Sequence, residues 1–247
     1  MITQTHAGSG PPLVLLHALG SDRHMWAPVI ERLAAEREVI ALDMPGFGDS
    51  SVIDPAAPSD LAHAIHSHLS ALGLDRPHVA GNSLGGWVAL ELALAGHARS
   101  VTAIAPAGMW AQPLLPKRSS ARALAGALSP VLPTLLRSAR GRRVALAGTT
   151  AHPERIPYAA ALQLVRAYAK APGFEAANAG MRANRFTGLD RISVPLTLAW
   201  PDHDRLVGRP RSVPATAREF VLRDCGHMPT WGDPDQVAAV LLRGSSA

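Results

Sequence analysis

Ser83 sits in Gly81-Asn82-Ser83-Leu84-Gly85, between a short apolar run at 78–80 and a helix-forming run at 88–95. A serine hydroxyl is a weak nucleophile until a neighbouring base takes its proton. Two later loops hold groups that could act with it. Pro201-Asp202-His203-Asp204-Arg205 offers two carboxylates, and Asp224-Cys225-Gly226-His227-Met228-Pro229 offers an imidazole. The imidazole titrates near neutrality, so His227 can accept the serine proton and later release it. A carboxylate can hold that ring in one tautomer and stabilise its cation. The pentapeptide fits G-x-S-x-G in a strand–turn–helix setting. Turning from strand to helix in so few residues strains the serine backbone, and glycines two positions away avoid clashes with the neighbouring elements. The hydroxyl then sits at a helix N-terminus, where unpaired N–H groups favour negative charge. By itself the pentapeptide would also suit a serine that merely caps a helix.

These loops need a scaffold that brings their ends together. Apolar runs at 13–17, 39–42, 101–105 and 195–200 have the continuous hydrophobicity of strands buried on both faces, and 219–223 reads as the last strand. Helical stretches alternate with them: 26–35, a helix after an N-cap at Ser59 with Leu61, Ile65, Leu69 and Leu72 on one face, the run after Ser83, and 234–242. This alternation predicts βαβ units, hence a mainly parallel α/β sheet with helices on both faces. Loops following parallel strands gather at the carboxyl edge of such a sheet, where ligands bind. From 107 to 192 the alternation stops. Alanine-rich pieces are broken by Pro113, Pro116, Pro130, Pro133, Pro153, Pro157 and Pro172, which predicts a helical insertion. The expected organisation is a core over 1–106 and 193–247, with a helical cap over 107–192.

Composition narrows the classes. At 247 residues, 47% hydrophobic and 17% charged, the chain is an ordinary globular protein. No apolar run reaches about 18 residues, so no membrane span is expected. The start, Met1-Ile2-Thr3-Gln4-Thr5-His6, lacks the pattern of a signal peptide, which makes the cytoplasm the default location. Cys225 is the single cysteine. The net charge of +5 is uneven: Arg99, Lys117, Arg118, Arg122, Arg137, Arg140, Arg142 and Arg143 fall between Glu91 and Glu154, with no acidic residue among them. Such a segment can attract anionic substrates, membrane surfaces or nucleic acid, or be only a solvated face; without interleaved aromatics or a nucleic-acid motif, no nucleic-acid partner is expected.

The motifs together resemble the α/β-hydrolase superfamily over 13–242. His17-Ala18-Leu19-Gly20 resembles the H-G-x-G oxyanion loop. Asp43-Met44-Pro45-Gly46-Phe47-Gly48-Asp49-Ser50 matches D-x-P-G-x-G-x-S, the elbow matches G-x-S-x-G-G, and Gly226-His227-Met228-Pro229 matches G-H-x-P. The order Ser…Asp…His is that of the family. The resemblance implies an α/β-hydrolase fold with catalytic Ser83, His227 and Asp204. Asp204 ends the segment aligned with the family's G-x-x-D, Pro201 replaces its glycine, and Asp202 is the fallback. It implies oxyanion donors at the backbone N–H groups of Leu19 and Leu84. One N-terminal edge strand has room before Leu13, where the family usually has two.

The expected activity is cofactor-free, metal-free hydrolysis of a carboxylic ester, or of a thioester or lactone, through an acyl-enzyme. Alternatives are carbon–carbon bond hydrolysis of dienoic ketoacids, cofactor-free haloperoxidase or perhydrolase chemistry, and non-catalytic binding of a small molecule on the same fold. The substrate is expected to be small, with a largely apolar acyl part. Met25, Met109, Trp110, Met228 and Trp231 are candidate pocket residues, and Arg182 and Arg185 are candidates to hold a carboxylate on an anionic substrate. His17 is read as a brace of the oxyanion loop, Asp43 and Asp49 as turn braces, and His63, His66 and His68 as a solvated helix face.

Overall fold

The computed structural model describes residues 1–117 and 119–246; Arg118 of the basic segment lies outside the described residues. Seven strands form one sheet: β1 (Gln4–Ala7), β2 (Pro12–Leu16), β3 (Glu38–Leu42), β4 (His78–Asn82), β5 (Ser100–Ile104), β6 (Leu196–Pro201) and β7 (Arg218–Leu222), in the order β1-β3-β2-β4-β5-β6-β7. Only β1 runs antiparallel, paired with β3 from Gln4↔Leu42 to Ala7↔Val39. Every other pairing is parallel. The sheet therefore has a single antiparallel strand before its parallel part.

Strand periodicity sorts the core into two layers. Val14, Leu16, Ile40 and Leu42 face one way, onto Leu61, Ile65 and Leu69 of α2 (Pro58–Ala71) and Leu84 and Val88 of α3 (Leu84–Leu94). Leu13, Leu15, Val39 and Ala41 face the other way, onto Val29 and Leu33 of α1 (Ala27–Ala34) and Val237 and Leu241 of α9 (Pro234–Gly244). Both faces are covered, which is why the central strands read as unbroken apolar runs.

One helix start differs from the expectation. Ser59 is not the N-cap of α2; Ala57 is, and Pro58 occupies the first turn. A proline there loses no needed donor and has its φ preset for a helix. The Asp60 carboxylate accepts the Ala57 N–H at 2.8 Å. Leu72 lies beyond the end of α2 and is exposed.

Between β5 and β6 the described residues form helices and no strand: α4 (Ser120–Ala127), α5 (Leu132–Arg137), α6 (Ala139–Ala145), α7 (Tyr158–Lys170) and α8 (Phe174–Ala183). This segment meets the carboxyl edge of the sheet at glycines. A Cβ on Gly20 would lie 2.6 Å from the Tyr168 ring and 3.0 Å from Phe174. Gly46 and Gly173 are equally close, and the Gly173 N–H donates to the Gly46 carbonyl at 2.8 Å. No helix of the described residues is long and apolar enough to cross a membrane.

Candidate active site

Ser83 joins β4 to α3 at φ +56°, ψ −115°, a conformation a non-glycine residue rarely adopts. Its neighbours hold it there. The Ser83 N–H donates to the Ile104 carbonyl at 2.9 Å, and its own carbonyl accepts the N–H groups of Trp87 and Ala107, each at 3.0 Å. A Cβ on Gly81 would fall on the Gly85 carbonyl, and one on Gly85 would fall on the carbonyls of Leu16 and His17. Glycine is thus required at both positions for close backbone approach.

The loop after β7 carries His227, and the loop after β6 carries Asp204. His227 Nδ1 lies 2.7 Å from Asp204 Oδ2, with both side chains almost fully buried. An ionised carboxylate only accepts, so Nδ1 carries the proton and Nε2 remains the ring atom able to take one. Asp204 Oδ1 accepts the N–H groups of Leu206 (2.7 Å) and Val207 (3.1 Å). Burial works to raise the Asp204 pKa, but the His227 hydrogen bond and charge with the two N–H donors hold it below the ordinary carboxylate value. Asp202 points elsewhere and accepts the Cys225 N–H at 3.2 Å. Asp224 pairs with His152 at 2.8 Å, away from the imidazole.

Ser83 and His227 are linked through Asn82. The Asn82 Nδ2 group donates to the His227 main-chain carbonyl at 3.0 Å and to the Ile104 carbonyl at 3.1 Å. Among the described contacts there is no direct hydrogen bond between the Ser83 hydroxyl and His227.

The loop after β2, the candidate oxyanion loop, is braced from two sides. His17 accepts the Met44 N–H at Nε2 (2.9 Å), which leaves Nδ1 to donate to the Ala18 carbonyl (2.8 Å). Burial, opposed by that bond and by Asp43 and Asp22, lowers the His17 pKa and keeps the ring neutral. The Ala18 N–H points at Met25 Sδ, 3.3 Å away. Asp22, at the end of this loop, accepts Gln163 Nε2 of α7 at 2.7 Å. Neither the Leu19 nor the Leu84 N–H is taken by a main-chain acceptor among the described residues, and Leu84 opens α3. Asp43 braces its turn: Oδ1 accepts the Arg23 N–H (2.7 Å), Oδ2 accepts the Asp49 N–H (2.9 Å), and the Arg23 guanidinium binds the same carboxylate.

The candidate pocket residues fall into two groups. Met25 lies fully buried beside Ala18 of the loop after β2, and Met228 follows His227, donating its N–H to the Thr149 carbonyl at 2.7 Å. Trp231 packs with the Met25 layer. Met109 and Trp110 are half-buried after β5. The Trp110 ring stands edge-on to Trp87 at 5.8 Å and donates to the Asn184 carbonyl. Arg182 and Arg185 are occupied elsewhere, donating to the Leu115 (2.7 Å) and Ala111 (2.6 Å) carbonyls. These bonds staple α8 and the residues just after it to the loop segment 111–115. His66 stacks on His97 at 3.4 Å, while His68 bonds Gln4, so the α2 histidines diverge.

Several of these supports were invisible in sequence: Asn82, Gln163, and the Tyr168–Phe174 pair over Gly20. Gly173 is a local mark of this packing, because its approach to Gly46 leaves no room for a Cβ.

Set beside known proteins, the chain matches the model of the alpha/beta hydrolase family over residues 13–240 and belongs to that family. It is 32% identical over 197 residues to the epoxide hydrolase EphH of Mycobacterium tuberculosis, covering 73% of this chain and 91% of that one. Other matches are local. A putative carbamate hydrolase, RutD, of Azorhizobium caulinodans is 38% identical over 100 residues, 39% of this chain. The chain spans only 38% of that relative's length, and 28% of another, an acetyltransferase component of an acetoin cleaving system from Pseudomonas putida that is 40% identical over 103 residues, 40% of this chain. In fold, it superposes on an esterase from Thermogutta terrifontis with a TM-score of 0.73 at 23% identity, covering 98% of this chain and 92% of the other.

Proposed function

We propose that this chain is a cofactor-independent serine hydrolase that cleaves a carboxylic ester, with thioesters and lactones as the next substrate classes. The observation that carries this reading is the buried Asp204–His227 pair, 2.7 Å apart, tied through Asn82 to an elbow that holds Ser83 at φ +56°. A hydroxyl at the elbow favours attack on a carbonyl carbon, whose oxygen then needs donors; the Leu19 and Leu84 N–H groups supply them.

In the proposed cycle His227 Nε2 takes the Ser83 proton as Oγ bonds to the carbonyl carbon. Asp204 keeps Nδ1 protonated and stabilises the imidazolium. The tetrahedral intermediate collapses, His227 passes its proton to the leaving alkoxide, and an acyl-Ser83 ester remains. Water, deprotonated by the same ring, attacks the acyl carbon. Ser83 recovers its proton and the acid leaves.

Residues 107–192 act in this reading as a cap, supported by Tyr168 and Phe174 lying against Gly20 of the oxyanion loop. The partly exposed apolar side chains of Met109, Trp110, Met228 and Trp231 favour an apolar acyl group, whereas Met25, fully buried against Ala18, does not face one. Arg182 and Arg185, with donors committed to carbonyls, give no support to a carboxylate clamp. We place the enzyme in the cytoplasm.

A fluorophosphonate probe tests the nucleophile: the wild type should be labelled and Ser83→Ala should not. A p-nitrophenyl ester should give a burst of nitrophenol as the acyl-enzyme fills. Labelling that survives Ser83→Ala, or no labelling and no burst, would mark the chain as a binding protein or a different catalyst.

A further inference from the structure

We propose that the face formed by α4, α5 and the turn between them docks on an anionic lipid bilayer. Leu124, Leu128, Val131 and Leu135 are spaced by four, three and four residues, the spacing of one helical face. Each is hydrogen-bonded to the next along the backbone: Leu128 N–H to Leu124 (2.9 Å), Val131 to Leu128 (2.9 Å) and Leu135 to Val131 (3.0 Å). The four therefore follow one nearly continuous helical path across the α4–α5 turn.

This ridge faces solvent. Leu124 is 59% exposed, Val131 53%, and Leu128 and Leu135 37% each. Leu115 and Val144, before and after it in the chain, are 83% and 68% exposed. Six of the chain's exposed large hydrophobic side chains thus lie within one stretch of the helical segment, and α4 itself buries no residue. Isolated exposed aliphatics are ordinary, but a ridge of them in water calls for a cover.

Charge identifies the cover. No acidic residue occurs between Glu91 and Glu154, while Lys117, Arg137, Arg140 and Arg143 are exposed in the same segment. Arg143 has Glu154 at 3.5 Å and Arg137 lies over the Tyr158 ring; Lys117 and Arg140 have no ion pair among the described residues. Arg122 of α4 has Glu175 at 3.7 Å, so two acidic groups answer this cluster and cations remain in excess; exposed aliphatics beside such an excess are what an interfacial helix presents to acidic headgroups. A second copy of this chain would bring the same positive charges against these, which disfavours self-association. The face is also joined to the oxyanion loop: Ser119, the N-cap of α4, bonds the Tyr168 hydroxyl at 2.5 Å, and Tyr168 lies against Gly20.

Flotation of the purified chain with vesicles tests this, using phosphatidylcholine alone and phosphatidylcholine with phosphatidylglycerol. The protein should float with the anionic vesicles, stay behind with the neutral ones, and be released by high salt. Lys117→Ala with Arg140→Ala should weaken partitioning about fivefold per cation removed. Leu124→Asp with Val131→Asp should weaken it at least about tenfold, since it removes apolar insertion and adds repulsion. Both positions are exposed, so circular dichroism and the thermal midpoint should stay as in the wild type. Equal binding to both vesicle types, or anionic binding untouched by Leu124→Asp/Val131→Asp, overturns the proposal. So does absence of vesicle binding, including the case of a dimer in sedimentation velocity that the same variant dissociates.

Discussion

The side-chain amide of Asn82 donates to the main-chain carbonyl of His227 at 3.0 Å, joining positions 145 residues apart. The same nitrogen reaches the Ile104 carbonyl at 3.1 Å, so one buried amide ties the elbow, the end of β5 and the histidine loop together. The residue beside the proposed nucleophile thereby sets where the proposed base is held. Asn82→Ala leaves the buried His227 carbonyl without its donor, while Ile104 keeps the Ser83 N–H, and should reduce stability by about 1–3 kcal/mol. Turnover should fall further than the loss of folded protein explains. Urea unfolding and kcat measured on the same preparation check this, and an unchanged kcat would remove Asn82 from the positioning of His227.

The two aspartates of the β6 loop should behave differently. Asp204→Asn leaves the shape but lets the imidazole adopt the wrong tautomer, and kcat should fall by about 10⁴. Asp202→Asn keeps an oxygen that can accept the Cys225 N–H, loses only the charge near His203, and should keep activity within about tenfold. Ester hydrolysis by the pair of variants decides which carboxylate serves His227.

The elbow glycines can be tested through folding alone. Gly85→Ala puts a methyl group onto the Leu16 and His17 carbonyls, at the end of central strand β2 and the residue just after it, which cannot retreat. A loss of about 3 kcal/mol or more is expected, seen as insoluble expression or a collapsed thermal midpoint. Gly96→Ala has open space around it but sits at φ +80°, so it should lose only about 1 kcal/mol.

Met25→Leu keeps the volume of the side chain and removes the sulfur that faces the Ala18 N–H. We expect a modest loss of stability, about 1 kcal/mol, with kcat falling more than KM rises, because the loop holding the proposed Leu19 donor loosens. A KM change without a kcat change would contradict this.

The acid side of the stability profile follows from the histidines. His17, His68, His78 and His97 are each held below the ordinary histidine value, with burial the largest cause in every case. The unfolded chain then binds more protons than the native one below about pH 6.5, so stability is full above that value and declines as pH falls. Asp204, held low, adds a second loss below about pH 4, where its unfolded form protonates first. Calorimetric unfolding at pH 6 in buffers of different ionisation heat should show net proton uptake; none would refute the assignment.

By itself the sequence determined the sheet, the order of its loops and the identity of Ser83, Asp204 and His227 as candidates. Buried parallel strands need continuous apolar runs, and a strand-to-helix turn this sharp needs glycine at 81 and 85, so both leave local marks. The choice between Asp202 and Asp204 rested on a family spacing, and only the fold shows which carboxylate meets the imidazole. The start of α2 was misplaced because Ser59 and Pro58 are both good first-turn residues, and the Asp60–Ala57 bond decides between them. Tertiary structure alone seats Asn82 under His227, Met25 under Ala18, Gln163 on Asp22 and Tyr168 over Gly20, and turns Arg182 and Arg185 toward carbonyls. Each of these joins segments distant in the chain through a single side chain, with no periodicity to announce it. The exposed ridge on α4 and α5 falls between these cases. Its helical spacing is written in the sequence, yet only packing reveals that no other element among the described residues covers it.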